Sequence, residues 1–301
     1  MTRARLILNG KGAADPEVRA AVERVRKAGQ TLEVRATWEA GDAERYAGEA
    51  VEDGVDLIVA GGGDGTLHEV VNGVVTAGDE AASAVAVLPL GTANDFATGC
   101  GIPAGCGAAL DLALRGEARP IDLGRVQGRC FVNLASGGFG AEVTAETPDN
   151  LKTVAGGGAY ALVGLVTAAA KLAPCGGSIE LPDTTVEGPF LVMAVGNGRL
   201  AGGGFTVTPE ALLDDGLLDL VYVHDFPATR LAAVVGELRD PANPGNEVVR
   251  YHQVPRCEVV LDRELAVSLD GEPQSWDRME FEVAPGRLRM VLPEECPLLR
   301  G

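Results

Sequence analysis

The chain has 301 residues, 46% of them apolar and only 4% aromatic, so it can bury two cores packed mainly with Val, Leu and Ala. Its 25 basic and 43 acidic residues give a formal net charge of −18, which excludes a general nucleic-acid binder and broad adhesion to anionic bilayers. Six cysteines without a C-x-x-C pair read as reduced thiols of a cytosolic protein; residues 1–10 are too short in apolar run for a signal peptide, and the longest apolar run, residues 159–170, is too short to span a bilayer.

Residues 5–9 predict a short apolar strand. Asp15 then caps a helix with Pro16 at its first position, Val18, Val22 and Val25 as its buried stripe, and Gly29 beyond its end. A second strand at 32–36 precedes a helix near 42–53, which buries Ala43, Tyr46, Ala47, Ala50 and Val51 and is closed by Gly54. Residues 55–60 and 85–88 are near-continuous apolar runs, as strands covered on both faces are. The alternation predicts an α/β domain with a parallel sheet and ligands at the carboxyl ends of its strands.

After Ile121-Asp122-Leu123-Gly124 the rhythm changes. Strands are expected at 130–134, 190–195, 217–223, 258–261, 265–269, 279–283 and 288–292, with helices only near 159–172 and 228–238. Short strands separated by Gly, Pro and Asp turns predict a β-sandwich-like second domain. The expected division is residues 1–124 and 125–301.

The run from Val59 to Asn72 concentrates the chemistry. An apolar strand breaks into Gly61-Gly62-Gly63-Asp64-Gly65 and restarts as a helix near Thr66, with Leu67, Val70, Val71 and Val74 at helical spacing. The glycines allow positive φ or close approach of a ligand, and free N–H groups at the helix start form an anion site. Asp64 suits a metal or an activated hydroxyl beside a phosphate, so the loop points to phosphoryl transfer. No Gly-Lys-Ser/Thr follows, the dinucleotide fingerprint fails at Thr66, and the zinc-protease helix fails because Asn72 stands where a second histidine is needed. No nucleophile elbow surrounds Ser136. A second small polar loop, Gly91-Thr92-Ala93-Asn94-Asp95, follows the next strand; Thr92 and Asn94 are suited to phosphate or ribose, and Asp95 to capping the next helix. From the residues alone, Asp214-Asp215-Gly216 is a good turn and Glu272 a turn acid.

The ordered set of blocks carries a resemblance. Gly62-Gly63-Asp64-Gly65-Thr66, Pro89-Leu90-Gly91-Thr92-Ala93-Asn94-Asp95-Phe96, Asn133-Leu134-Ala135-Ser136-Gly137-Gly138-Phe139-Gly140, Gly196-Asn197-Gly198-Arg199 and Leu269-Asp270-Gly271-Glu272-Pro273 are similar to the diacylglycerol-kinase catalytic family. With Thr37-Trp38-Glu39 and the terminal Cys296-Pro297-Leu298-Leu299-Arg300, the whole chain resembles the YegS-type bacterial lipid kinases.

The resemblance implies transfer of the ATP γ-phosphate to a hydroxyl of a membrane glycerolipid, of the diacylglycerol or phosphatidylglycerol type. It implies ATP against Thr37, Gly63, Asp64, Gly65, Thr66, Leu67, His68, Glu69 and Thr92. Glu272 becomes the proton acceptor, with Asp64 as second catalytic group. Mg²⁺, with Ca²⁺ as the alternative ion, is implied at Leu212, Asp215 and Leu217, the leucines offering carbonyls only. The expected protein is cytoplasmic, visits the inner face of the membrane, and has no nucleic-acid partner. A soluble phosphotransferase of the NAD-kinase type and a non-catalytic lipid or nucleotide sensor are the rival readings.

Overall fold

The computed structural model describes residues 2–78, 83–138 and 174–300. Four parallel strands, β1 (Ala4–Leu8), β2 (Leu32–Ala36), β3 (Leu57–Gly62) and β4 (Ala84–Pro89), lie in the order β4-β3-β1-β2. Both faces are covered, and alternation along β1 divides the cores. Leu6 and Leu8 pack with α1 (Pro16–Lys27) and α5 (Cys106–Arg115), while Ile7 joins α2 (Asp42–Glu52) and α3 (Asp64–Ala77) on the other face. The cap on α1 is as expected: Asp15 accepts the Glu17 N–H and Pro16 occupies the first turn.

Two boundaries differ from the sequence expectation. Strand β3 runs on through Gly61 and Gly62, paired with Leu88 and Pro89. Helix α3 starts at Asp64, two residues before Thr66, with Gly63 as its N-cap. The apolar period marks the buried face and first registers at Leu67, inside a helix already under way.

The second half continues the same sheet. Strands β5 (Ala118–Val126), β6 (Arg129–Phe131) and β7 (Leu134–Gly138) lead to β8 (Gly177–Glu180), β9 (Thr185–Glu187) and β10 (Phe190–Gly196). A hairpin of β11 (Leu200–Ala201) and β12 (Phe205–Thr206) precedes β13 (Leu218–His224). A 3-10 turn at Ala228–Arg230 and α6 (Leu231–Glu237) then fill the expected 228–238 helix. The chain ends in β14 (Val249–Val254), β15 (Arg256–Leu269) and β16 (Glu272–Val291). Inner faces meet around Phe131, Phe281, Leu220, Tyr222 and Met279, giving the β-sandwich-like half its own core. The helix expected near 159–172 lies outside the described residues.

The expected pairs of strands at 258–261 with 265–269, and at 279–283 with 288–292, are each one long strand. Pro285-Gly286 reads as a turn in sequence but forms a bulge: the register of β16 against β5 shifts between Ala284 and Leu288. Gly286 has φ +59°, and its N–H is held by Asp122 Oδ1 at 2.7 Å. Strand β16 thereby pairs with β15, with β5, and through Met290 with Val85 of β4. Residue 124 lies inside β5, and Leu292, Cys296 and Leu298 return to the core beneath α3.

Candidate active site

The crevice forms where β3 and β4 end. None of Gly61, Gly62, Gly63 and Gly65 has positive φ. They are glycines because other atoms occupy the place of a side chain. A methyl group on Gly61 would lie 2.6 Å from Leu8 Cδ2, and one on Gly62 would lie 2.2 Å from Thr66 Oγ1. One on Gly91 would lie 2.4 Å from the Cα of Gly63, so the two loops touch backbone to backbone, and Leu90 N–H donates to Gly62 O at 2.9 Å.

Asp64 ties these loops together. Its carboxylate accepts the Asp95 and Phe96 N–H groups, both at 3.2 Å, and so caps α4 (Asp95–Gly99) from another element. Burial raises its pKa above the ordinary value, and those two N–H groups oppose the shift. Asp95, the residue expected to cap that helix, instead accepts Gly203 N–H at 3.1 Å and Gly204 N–H at 2.6 Å. The Gly202-Gly203-Gly204 stretch is thereby pinned to α4, its three residues at positive φ. Asn94 also differs from expectation: its amide is committed to Gly91 N–H and Gly91 O, both at 2.9 Å, which leaves exposed Thr92 as the polar side chain of that loop.

Glu272 reaches the same place from the second half. Leu269 and Glu272 pair across a two-residue hairpin turn with Asp270 at φ +50° and Gly271 at φ +100°. Glu272 Oε1 comes so close to the first turn of α3 that a methyl group on Gly65 would lie 2.7 Å from it. The obstructing atom ends a flexible side chain, so Gly65→Ala should displace Glu272 without unfolding the protein. We expect a melting temperature near the parent's and a fall in kcat of about 10²-fold, the usual result of misplacing a reacting group by an ångström. Full activity would show that Glu272 needs no fixed place over Gly65.

Asp270 is a different kind of acid. It is buried and accepts Val132 N–H at 2.8 Å, Asn133 and Leu134 N–H at 2.9 Å, with His68 Nδ1 at 3.3 Å. Its lone pairs are filled, so it holds structure rather than a substrate proton.

The remaining expected nucleotide contacts divide. Thr37 follows β2, with its N–H on Leu8 O and the next two amides held by Asp42 Oδ2. Glu69 Oε2 accepts Ala43 N–H at 3.0 Å, capping α2 beside Thr37. The side chains of Leu67 and His68 turn away from the crevice. Leu67 joins the core, and His68, 1% exposed, points at Asp270. Neither side chain faces the crevice in this arrangement, so a nucleotide contact from these two residues would come from the main chain.

The sequence reading places no site residue on the loop after β1, Gly10-Lys11-Gly12. Asn9 N–H donates to Gly61 O, Asn9 Oδ1 accepts Gly12 N–H, and a methyl group on Gly12 would lie 2.9 Å from Leu90 Cδ1. Exposed Lys11 therefore stands at the same end of the sheet. Its signal was a small polar run directly after an apolar strand.

The turn at 212–217 lies apart from the crevice. Gly216 N–H donates to Asp122 Oδ2 at 2.7 Å, and Asp214 accepts Arg300 N–H. Asp215 uses Oδ1 for Leu217 N–H. Burial raises the Asp215 pKa, the Leu217 N–H and Arg300 oppose this, and Asp122 and Asp214 add like charge. Among the described residues no three His, Cys, Asp or Glu side chains converge on a metal position. The Asp215 carboxylate, with those of Asp122 and Asp214 near it, makes a spot crowded with negative charge that fits a hard cation keeping several waters.

A glycine–acid loop on a parallel sheet, met by a carboxylate from a β-sandwich-like half, defines a kinase architecture. The family "Diacylglycerol kinase catalytic domain" matches residues 3–126. The "YegS C-terminal NAD kinase beta sandwich-like domain" matches residues 133–292. A probable lipid kinase YegS-like of Pseudomonas aeruginosa is 48% identical over 296 residues, covering 98% of this chain and 96% of its own. One from Pseudomonas fluorescens is 46% identical over 303 residues, covering 99% and 98%. A solved putative diacylglycerol kinase from Bacillus anthracis has the same fold, with TM-score 0.78 at 23% identity over 97% of each chain. The chain belongs to the YegS-type lipid kinases.

Proposed function

We propose that the protein transfers the γ-phosphate of Mg-ATP to a glycerolipid hydroxyl at the membrane surface. One observation carries this reading: the Glu272 carboxylate lies over Gly65, at the start of the helix that offers its amides to phosphate. The triphosphate runs along the ends of β1, β3 and β4, where loop amides and Lys11 meet its charge. Thr37 and Thr92 flank it. Glu272 takes the proton of the acceptor hydroxyl as its oxygen bonds to phosphorus, and ADP leaves with the bridging oxygen. Such transfer depends on positioning and charge neutralisation more than on covalent help. Asp64 keeps both loops in register and adds a carboxylate for the cation that accompanies the triphosphate.

A Mg²⁺ held by the Asp215 carboxylate and the Leu212 and Leu217 carbonyls would neutralise the acidic turn and stiffen the second half. Asp215→Ala should lose that ion on dialysis while ATP affinity stays at the parental value. Unchanged metal content would leave Asp215 as a turn residue that bonds Leu217.

Among the described residues no helix is long and apolar enough to cross a membrane. With a net charge of −18, contact with an anionic inner leaflet must be local or bridged by cations. The deciding experiment incubates the protein with γ-labelled ATP and vesicles containing diacylglycerol or phosphatidylglycerol, with NAD as a separate acceptor, and identifies products by mass. Labelled lipid supports the proposal. Labelled NAD would support a soluble phosphotransferase instead, and ATP binding without any product would support a sensor.

A further inference from the structure

His68 sits one turn beyond the glycine loop, and its ring lies wholly inside the protein. The two polar groups nearest Nε2 are Asn72 Nδ2 at 3.3 Å and Arg129 Nη2 at 3.5 Å. Asn72 cannot be turned round, because its Oδ1 accepts Cys130 N–H at 3.0 Å while Nδ2 donates to Cys130 O at 2.9 Å. Arginine has only donors. The two Asn72 Nδ2 hydrogens are taken by His68 O and Cys130 O, both at 2.9 Å, so neither neighbour presents an acceptor to Nε2 and Arg129 is the one with an N–H to give it; the ring therefore carries its proton on Nδ1 and donates it to Asp270 Oδ2. Arg129 is in turn clamped by Glu44 of α2, with two contacts of 3.0 Å.

The four donors to Asp270 come from two places. Three are the amides of Val132 and Asn133, between β6 and β7, and of Leu134, the first residue of β7; the fourth is His68 of α3. The histidine is the donor that ties this turn to the helix whose N-terminus faces the phosphates.

We infer that His68 is a positioning residue, whose Nδ1–H bond to Asp270 registers the hairpin carrying Glu272 against the glycine-loop helix. This rests on the reading of Glu272 as proton acceptor. The role is mechanical: Glu272 is two residues from Asp270, on a turn with both central residues at positive φ, so a shift at Asp270 passes directly to the carboxylate over Gly65.

Three replacements separate the two nitrogens. His68→Asn places an N–H donor at the δ position, His68→Gln places its amide at the ε position, and His68→Leu supplies neither. We expect His68→Asn to stay within a few-fold of the parent. His68→Gln and His68→Leu should lose about 10- to 10²-fold in kcat with KM for ATP unchanged. Parental kcat in the Leu or Gln variant overturns the inference, as does an Asn variant no better than Leu. A raised KM for ATP with retained kcat would return His68 to the nucleotide site, and parallel loss of ATP binding and kcat in all three would mark a purely structural residue; both results overturn it. Glu272→Gln is run beside them. If that variant stays active, the reading of Glu272 fails; if it is inactive while His68→Leu is normal, only the present inference fails.

Discussion

Glu272→Gln should fold, bind ATP like the parent and fail to phosphorylate lipid. The amide keeps the size of the side chain but cannot accept the hydroxyl proton. Removing a general base costs ~10²–10⁴-fold in rate, about 3–5 kcal/mol of barrier. The defect should appear in kcat for lipid, because Glu272 belongs to β16 and its backbone pairs with Leu269 rather than with the phosphate loops. A variant that binds ATP poorly but turns over normally at saturation would place Glu272 in the nucleotide site. Asp270 could not replace it as the base, since its oxygens already accept four hydrogen bonds.

Asp64→Asn should lose on the order of 10²-fold or more in activity, the effect typical of a group that stabilises charge in the transition state. The structure adds a second cost. An amide has one acceptor oxygen where the carboxylate uses two, on Asp95 and Phe96, so one N–H at the start of α4 loses its partner. A lost cap of this kind removes about 1 kcal/mol of stability. Relief from burying a charge offsets part of it. Chemical denaturation and an ATP titration, run beside the kinase assay, separate the two effects. Activity within a few-fold of the parent would reduce Asp64 to a cap on α4.

Local signals carried much of the fold. Asp15-Pro16 at the start of α1, the valine stripe behind it, and the apolar runs of β3 and β4 are short-range patterns and are read as such. The glycine cluster was legible as a strand-to-helix loop, though the reason for its glycines was not. Leu8, Thr66, Gly91 and Glu272 fill the space that side chains would need, and all but Thr66 lie well away in sequence. The same limit explains the reassigned acids. Asp95 looks like an N-cap within its own loop, yet its partners are Gly203 and Gly204, 108 and 109 positions away. Asp270 and Glu272 look alike as turn acids. Only the amides of Val132, Asn133 and Leu134 show that one is saturated while the other is aimed at the crevice. Pro285-Gly286 imitates a chain reversal because local preference at a bulge and at a turn is the same; pairing with β5 decides between them.

The 20-residue strand β16 bears on how such a chain could be divided. It closes the side of β4 that would otherwise be a bare row of peptide groups, and the segment after it supplies Leu292 and Leu298 to the interior under α3. A gene cut after residue 124 would therefore encode a first half with an open sticky edge and a notch in its interior, a template for fibrous self-association. The two halves read as separable modules along the sequence but are interlocked in space. Recombination between relatives would have to exchange the inner part of the second half and leave residues 284–300 with the first.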